Sequence, residues 1–184
     1  MATHTWIALF RGINVGGNNP LPMKTLPALL ATCGCTDAKT YIQSGNVVFR
    51  SSAGSAATLA ASIGKAIHKK HGFEPRVLIL SCSELARAMA NNPFAGAAEK
   101  APQWLHLFFL GETPQKGGLE KLKTWQTQGE EFALKGDVFY LHTPNGFGTS
   151  KLAANVGRAL GVDAITARNW RTCQKVLELG KALA

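Results

Sequence analysis

Residues 39–50 read K-T-Y-I-Q-S-G-N-V-V-F-R, and they predict a β-hairpin on which the assignment of the fold depends. Two runs rich in β-forming residues, Lys39–Gln43 and Val47–Arg50, flank Ser44-Gly45-Asn46. Glycine and asparagine tolerate the positive φ angles that tight hairpin turns require. We therefore predict two adjacent antiparallel strands here, and the elements on either side decide which fold they belong to.

On each side of the hairpin, moving away from it along the sequence, we predict a helix and then a further strand. The helices are Met23–Thr32, closed by Gly34, and Ser55–His71, with Ser55 as N-cap and Gly72 as C-cap; the strands are Thr5–Arg11 and Arg76–Leu80. Because Pro27 cannot donate an intrahelical hydrogen bond, the first helix is expected to begin late or to kink. The order β-α-β-β-α-β is that of a ferredoxin-like fold.

The second half of the chain predicts the same order of elements again. The expected elements are a helix at Ser83–Asn91, a strand at Trp104–Leu110, a helix at Gln115–Gln128, strands at Glu131–Lys135 and Val138–His142, a helix at Lys151–Leu160, a strand at Ala164–Thr166 and a last helix at Arg171–Leu183. We therefore predict an α+β protein with duplicated ferredoxin-like subdomains, antiparallel sheets and a C-terminal helix. The expected division is residues 1–81, a helix and linker over 82–103, and residues 104–184.

Composition places the chain among ordinary globular proteins and narrows its chemistry. Of 184 residues, 46% are apolar and 17% are charged. The N-terminus has no signal-peptide pattern, and no window approaches the roughly 18 apolar residues of a membrane span, so we expect a cytoplasmic protein with no membrane partner. The four cysteines and five histidines lack the spacings of metal or redox motifs, so no metal and no cofactor is expected.

The net charge of +9 is concentrated in the first half of the chain. Residues 1–73 contain seven basic residues and a single acid, Asp37, which gives +6. A region almost free of carboxylates has a positive surface potential, which favours phosphates, nucleic acid or other anions as partners. Solubility alone is the alternative explanation.

The segment R-G-I-N-V-G-G-N-N at residues 11–19 is the first candidate for a binding loop. Gly12, Gly16 and Gly17 would let backbone N–H groups converge on an anion at a helix N-terminus, and Arg11 adds a planar donor group. The segment matches neither G-x-G-x-x-G nor G-x-x-x-x-G-K-[ST]. A tight turn without a ligand is the competing interpretation.

Three further polar clusters extend this prediction. They are the hairpin tip around Gln43 and Asn46, the G-F-G-T-S-K-L segment at residues 146–152, and the T-A-R-N-W-R-T segment at residues 166–172. Cations at a helix N-terminus are unfavourable unless an anion is bound. We predict a pocket for a small phosphate- or carboxylate-bearing ligand formed by Arg11, Asn14, Gly16, Gly17, Gln43, Ser44, Asn46, Lys151, Arg168 and Asn169.

These motifs together resemble a known family. The segments R-G-I-N-V-G-G-N, T-Y-I-Q-S-G-N-V-V-F, N-P-F, G-T-S-K-L and R-N-W are similar to those of the bacterial family called domain of unknown function 1697. The resemblance runs from about Ala8 to Val176. It implies an α+β protein of two ferredoxin-like subdomains, and it implies no activity and no catalytic residues.

The residues do not decide whether the protein is an enzyme. No histidine or carboxylate lies within the motifs to act as a general base. By analogy with acylphosphatases, Arg11 could hold a phosphate while Asn46 orients water. Two alternatives to ligand binding remain: nucleic-acid binding by the basic N-terminal half, and a structural or oligomeric protein without ligand. The sequence gives no oligomeric state.

Overall fold

The computed structural model describes residues 3–183. Its elements form two successive β-α-β-β-α-β units, with two helices between them in the sequence and one helix after the second. The elements are β1 (His4–Arg11), α1 (Leu26–Ala31), β2 (Cys35–Tyr41), β3 (Asn46–Ser51), α2 (Ala56–His71), β4 (Arg76–Ser81), α3 (Cys82–Ala90), α4 (Ala95–Lys100), β5 (Leu105–Leu110), α5 (Gly118–Lys123), β6 (Glu131–Lys135), β7 (Val138–His142), α6 (Lys151–Leu160), β8 (Ile165–Asn169) and α7 (Trp170–Lys181).

The strands form two four-stranded antiparallel sheets with the same topology. The strand order is β2-β3-β1-β4 in the first sheet and β6-β7-β5-β8 in the second. In each sheet the first and third strands of the unit are central neighbours, and the hairpin partner and the last strand occupy the edges. This is the ferredoxin-like arrangement, so the predicted α+β fold with duplicated subdomains is confirmed.

Helices α1 and α2 cover one face of the first sheet. Ala8 and Phe10 of β1, with Phe49 of β3, join Leu30 of α1 and Ile63 of α2 in one buried cluster. Since side chains alternate along a strand, Ile7 and Leu9 point to the other face, where they are also buried. Each such side chain contributes about 1.5–3 kcal/mol by leaving water.

The second sheet has an equivalent core beneath α5 and α6. Phe108 of β5 and Phe139 of β7 pack with Leu122 of α5 and with Leu152 and Val156 of α6. The rings of Phe108 and Phe139 meet edge to face with centroids 5.7 Å apart, a favourable geometry for aromatic pairs. The helix-covered face of each sheet therefore follows from the two-residue alternation of its strands.

The chain divides into two compact units. One comprises the residues up to Arg87 together with those from Gln174 onward, and the other comprises Ala88–Cys173. The predicted division at residues 81 and 103 stays a prediction. Within residues 3–183, no helix has the length and apolar character needed to cross a membrane.

Local signals fixed several helix ends. Ser55 caps α2 by accepting a hydrogen bond from the Thr58 N–H, and Gly72 ends the helix with φ 79°, as predicted. Helix α1 begins late, at Leu26, which places Pro27 in its first turn, where the missing N–H costs no intrahelical hydrogen bond. The hairpin predicted at residues 39–50 is β2–β3, although β2 begins earlier, at Cys35.

Two expectations about the second half were wrong in extent, and helix α4 was missed. The helix expected over Gln115–Gln128 is confined to Gly118–Lys123, because the residues that follow are held in a loop by Glu130, which accepts the Thr127 N–H. Strand β8 continues to Asn169, beyond the expected Thr166, because its last residues pair with β5.

Candidate functional site

Four strands of the first sheet bring the two N-terminal motifs to one end of that sheet. Strands β1 and β2 end there at Arg11 and Tyr41, and β3 and β4 begin there at Asn46 and Arg76. Antiparallel pairing makes these termini neighbours. We call this region the loop end, and it consists of residues 11–20, residues 41–46 and Arg76.

The two consecutive glycines of the first motif form a tight turn. The Asn18 N–H donates to the Val15 carbonyl oxygen at 3.1 Å, and these two residues form an isolated β-bridge. Gly16 and Gly17 between them have φ angles of 59° and 77°, the two positive values that a type I′ turn requires. Helix α1 begins only at Leu26. The expectation that these glycine N–H groups lie at a helix N-terminus is therefore wrong.

Asn14 holds the first loop together and ties it to the second. Its Oδ1 accepts the Leu21 N–H at 2.7 Å, and its Nδ2 donates to the carbonyl oxygens of Leu21 and Gln43, both at 2.9 Å. The φ angle of 54° at Asn14 is one that asparagine tolerates better than most residues. These bonds give Asn14 a structural role in fixing the relative position of the two loops.

Asn46 is also engaged within the protein. It is completely buried, and its Nδ2 donates to the Tyr41 carbonyl oxygen at 3.1 Å and to Ser44 Oγ at 3.2 Å. A side chain that cannot contact solvent cannot orient an attacking water, so the acylphosphatase analogy fails at this residue. Asn46 instead closes the turn between β2 and β3.

Gly45 is required where the two loops approach each other most closely. Its carbonyl oxygen accepts the Phe10 N–H at 2.8 Å. A Cβ atom added at Gly45 would lie 2.6 Å from Ile13 Cδ1 and 2.7 Å from Phe10 Cβ, and the residue has φ 78°. The motifs R-G-I-N and Q-S-G-N therefore form one packed pair of loops.

Two arginines stand side by side at the loop end. Arg11, the last residue of β1, pairs in register with Arg76, the first residue of β4, and both are exposed. Directly opposed residues have Cβ atoms about 4.5–5.5 Å apart, and like charges in this arrangement are destabilising. Sequence reasoning missed Arg76, although its position at the start of the R-V-L-I-L strand and the ferredoxin-like order of strands place it beside Arg11.

The predicted residues of the second unit include an exposed lysine at a helix start. Lys151 is the first residue of α6, and Ser150 caps this helix by accepting the Ala153 N–H at 3.0 Å. Ser150 Oγ donates in turn to the buried carboxylate of Glu130. Because Glu130 already complements the positive end of α6, the charge at this terminus does not call for an external anion.

Glu130 is a carboxylate near a motif that the sequence analysis did not identify. The sequence offered only Asp37, whereas the fold brings Glu130, 20 residues distant in sequence, into contact with the S-K-L segment. Its second carboxylate oxygen accepts the Thr127 N–H at 2.8 Å. Both oxygens thus anchor the loop before β6. No short-range pattern in the sequence predicts the contact between Glu130 and Ser150.

Arg168 and Asn169 lie on β8, and each is held by its neighbours. Arg168 Nη1 donates to Thr166 Oγ1 at 3.0 Å and to the Ala167 carbonyl oxygen at 2.8 Å. Burial of the guanidinium lowers the pKa of Arg168 to about 10, so the group stays protonated at neutral pH. Asn169 Oδ1 accepts the Thr172 N–H and caps α7.

Arg168 and α6, the helix that Lys151 begins, are on opposite faces of the second sheet. Arg168 pairs in register with Leu107 of β5, whereas the next residue, Phe108, belongs to the core beneath α6. Of the ten predicted residues, seven lie in the first unit at the loop end and three lie in the second. A single pocket that combines all ten stays a prediction.

His106 is a second buried group that the sequence did not single out. Its ring stacks on Phe147, with centroids 3.8 Å apart, and its Nδ1 has no hydrogen-bond partner among the described residues. Burial lowers the pKa of His106 from 6.5 to about 4, so the ring is neutral at pH 7. Within residues 3–183, no group of three or more His, Cys, Asp or Glu side chains is arranged to hold a metal ion.

A cavity of about 460 Å³ lies elsewhere in the first unit, between α1 and α2. It is lined by Ala28, Leu29, Thr32, Ala66, Lys69 and Lys70, and none of the predicted ligand-binding residues contributes to it. At the loop end, Arg11, Gln43, Ser44 and Arg76 are exposed. Recognition there would rely on exposed side chains.

Comparisons with known proteins agree with this architecture. A solved structure described as conserved bacterial protein SP0830 from Streptococcus pneumoniae superposes with a TM-score of 0.73, at 20% sequence identity, over 97% of this chain and 99% of that one. At this identity the likeness concerns the fold. No curated protein sequence matches this one significantly. The family described as "Protein of unknown function (DUF1697)" matches residues 3–140, three quarters of the sequence, and the chain therefore belongs to that family.

Proposed function

We propose that the protein binds a small anionic ligand, bearing a phosphate or a carboxylate, at the loop end of the first sheet. The observation that carries this proposal is the direct opposition of Arg11 and Arg76 on neighbouring strands. An oxyanion between the two guanidinium groups converts a repulsive pair into a pair of charge-assisted contacts. The other six predicted residues at the loop end are interpreted as the scaffold of the pair.

The electrostatic surroundings support an anion over a cation at this surface. The first unit contains eleven basic residues and four acids, a net charge of +7. Its positive potential raises the local concentration of anions and speeds their association. Gln43 and Ser44 lie on the adjoining loop, where exposed amide and hydroxyl groups supply further hydrogen bonds to oxyanions.

The test is a titration of the purified protein with inorganic phosphate at constant ionic strength, followed by calorimetry and by the thermal midpoint. A ligand at about 100 times its Kd stabilises the folded state by about 2.7 kcal/mol. Arg11→Gln and Arg76→Gln are each expected to remove this gain. Arg50→Gln, at the opposite end of β3, is the matched control and should keep it, because Arg50 pairs with Thr5 and Thr36.

A second measurement follows from the repulsion itself. Without phosphate, Arg76→Gln should be at least as stable as the wild type, since the change removes one of two opposed positive charges. If phosphate fails to bind, or if Arg11→Gln and Arg76→Gln bind it as the wild type does, the proposal is wrong.

A further inference from the structure

Two of the three large apolar side chains that are strongly exposed among residues 3–183 lie at the loop end. They are Val15, with 65% of its surface exposed, and Ile42, with 50% exposed. One lies on each of the two packed loops. Isolated exposed aliphatic residues are ordinary, but here each is the chain neighbour of one partner in the Asn14–Gln43 hydrogen bond that joins the two loops. The arginines lie at the same end of the sheet, Arg11 on central strand β1 and Arg76 on β4, the edge strand opposite β2.

Ile42 has a backbone conformation that is unfavourable for a β-branched residue. Its φ angle is 49°, in the left-handed region, where a β-branched residue is a genuine outlier. Glycine or asparagine would occupy this position at lower cost and would expose less apolar surface. Strain of this kind is concentrated at sites of ligand binding and catalysis.

Val15 and Ile42 lie on two loops that are joined by a hydrogen bond. Val15 closes the type I′ turn with Asn18, and Ile42 directly precedes Gln43, whose carbonyl oxygen accepts the hydrogen bond from Asn14. The backbone positions of both residues are therefore set before any ligand arrives. Preorganisation of this kind reduces the entropy lost on binding.

We infer that the ligand of the loop end is an amphiphile, a phosphate or carboxylate joined to an aliphatic chain, with Val15 and Ile42 contacting the chain. The inference rests on the proposed function, because Arg11 and Arg76 would hold the anionic group. A free, water-soluble molecule and a lipid in a bilayer share this chemistry. We commit to the soluble molecule, since two aliphatic side chains offer too little apolar area for stable attachment to a bilayer.

The test compares octyl phosphate, kept below its aggregation concentration, with ethyl phosphate by calorimetry, and uses octyl glucoside as a neutral control of equal chain length. Octyl phosphate should bind at least about tenfold more tightly, because partial burial of two aliphatic side chains and the alkyl chain favours it. Octyl glucoside, which lacks the anionic group, should not bind.

The variants Val15→Thr and Ile42→Asn separate this role from a structural one. Each should reduce the advantage of octyl over ethyl phosphate and leave the affinity for ethyl phosphate unchanged. Ile42→Asn should also raise the thermal midpoint, because asparagine tolerates φ 49°. Asn18→Ala, on the same loop, is the control and should bind both phosphates as the wild type does.

The outcomes distinguish this inference from the function on which it rests. Equal affinity for octyl and ethyl phosphate in the wild type overturns the amphiphile and leaves the anion site standing. Failure of both phosphates to bind overturns both. Sedimentation with vesicles of phosphatidylcholine and phosphatidic acid, without binding of free octyl phosphate, overturns the soluble ligand in favour of a lipid surface.

Discussion

Replacing Asn14 with alanine tests whether the two motif loops depend on one side-chain amide. The change removes three hydrogen bonds of 2.7, 2.9 and 2.9 Å, and it leaves the N–H and carbonyl groups of Leu21, whose surface is 1% exposed, without those partners. At about 0.5–1.5 kcal/mol for each bond, the free energy of unfolding should fall by about 2–4 kcal/mol. Alanine at φ 54° adds about 1 kcal/mol of strain.

Asn14→Gly isolates the hydrogen bonds from the strain. Glycine accepts the left-handed conformation, so Asn14→Gly should be about 1 kcal/mol more stable than Asn14→Ala. Asn18→Ala is the matched control on the same loop, and it should change the unfolding free energy by no more than about 0.5 kcal/mol. Urea denaturation followed by circular dichroism gives all three values.

Hydrogen exchange then locates the effect. Loss of the bond from Leu21 N–H to Asn14 Oδ1 should speed exchange in peptides covering residues 12–24, and peptides of the second unit should exchange at the wild-type rate. If Asn14→Ala is as stable as Asn18→Ala, or if exchange around Leu21 is unchanged, the clamp described here does not hold the loops together.

Three further changes probe the packing and the buried groups. Gly45→Ala should destabilise the protein by more than about 2 kcal/mol in urea denaturation, since the added Cβ would lie 2.6 Å from a neighbouring side chain. Gly12→Ala, whose Cβ would have nothing within 4 Å, should cost only about 1 kcal/mol of left-handed strain. Equal losses of stability in the two variants would contradict the close approach of the loops. Ser150→Ala should cost about 1–2 kcal/mol by removing the α6 cap. Glu130→Gln should cost less, because the amide oxygen can still accept the Thr127 N–H while its Nε2 donates to Ser150 Oγ; the reverse order would refute the assigned roles. The pKa of buried His106 is lowered from 6.5 to about 4, so the unfolded state binds the proton first as the pH falls. The free energy of unfolding should therefore decline between about pH 6.5 and pH 4. His106→Leu should flatten this decline, and an unchanged slope would refute the assignment of the pH dependence to His106.

Local patterns predicted the elements well where the cause of the structure is local. The caps Ser55 and Gly72 delimit α2 because a hydroxyl acceptor and a left-handed glycine act within one turn of the helix. Pro27 delayed the start of α1 for a similarly local reason. Strand ends were predicted less well, since pairing sets them: β8 reaches Asn169 because that residue lies opposite His106 of β5.

The sequence predicted where the two motif loops lie along the chain but not the hydrogen bonds that their residues make. The sequence identified both motif loops, yet it could not show that the Asn14 and Asn46 amides are engaged in internal hydrogen bonds. The ligand-binding interpretation and the structural interpretation fit the same residues, because an amide that binds a ligand and one that closes a turn have the same chemistry. Only the position of the acceptor atoms separates the two roles.

The sequence by itself determined the order of elements, the hairpin at residues 39–50 and the basic character of the first half, because periodicity, turn chemistry and charge are properties of neighbouring residues. The tertiary structure alone decided that Arg76 stands beside Arg11 and that Glu130 reaches Ser150. Those contacts join residues 65 and 20 positions apart. They exist only once the strands have paired and the helices have packed, which is why no local pattern contains them.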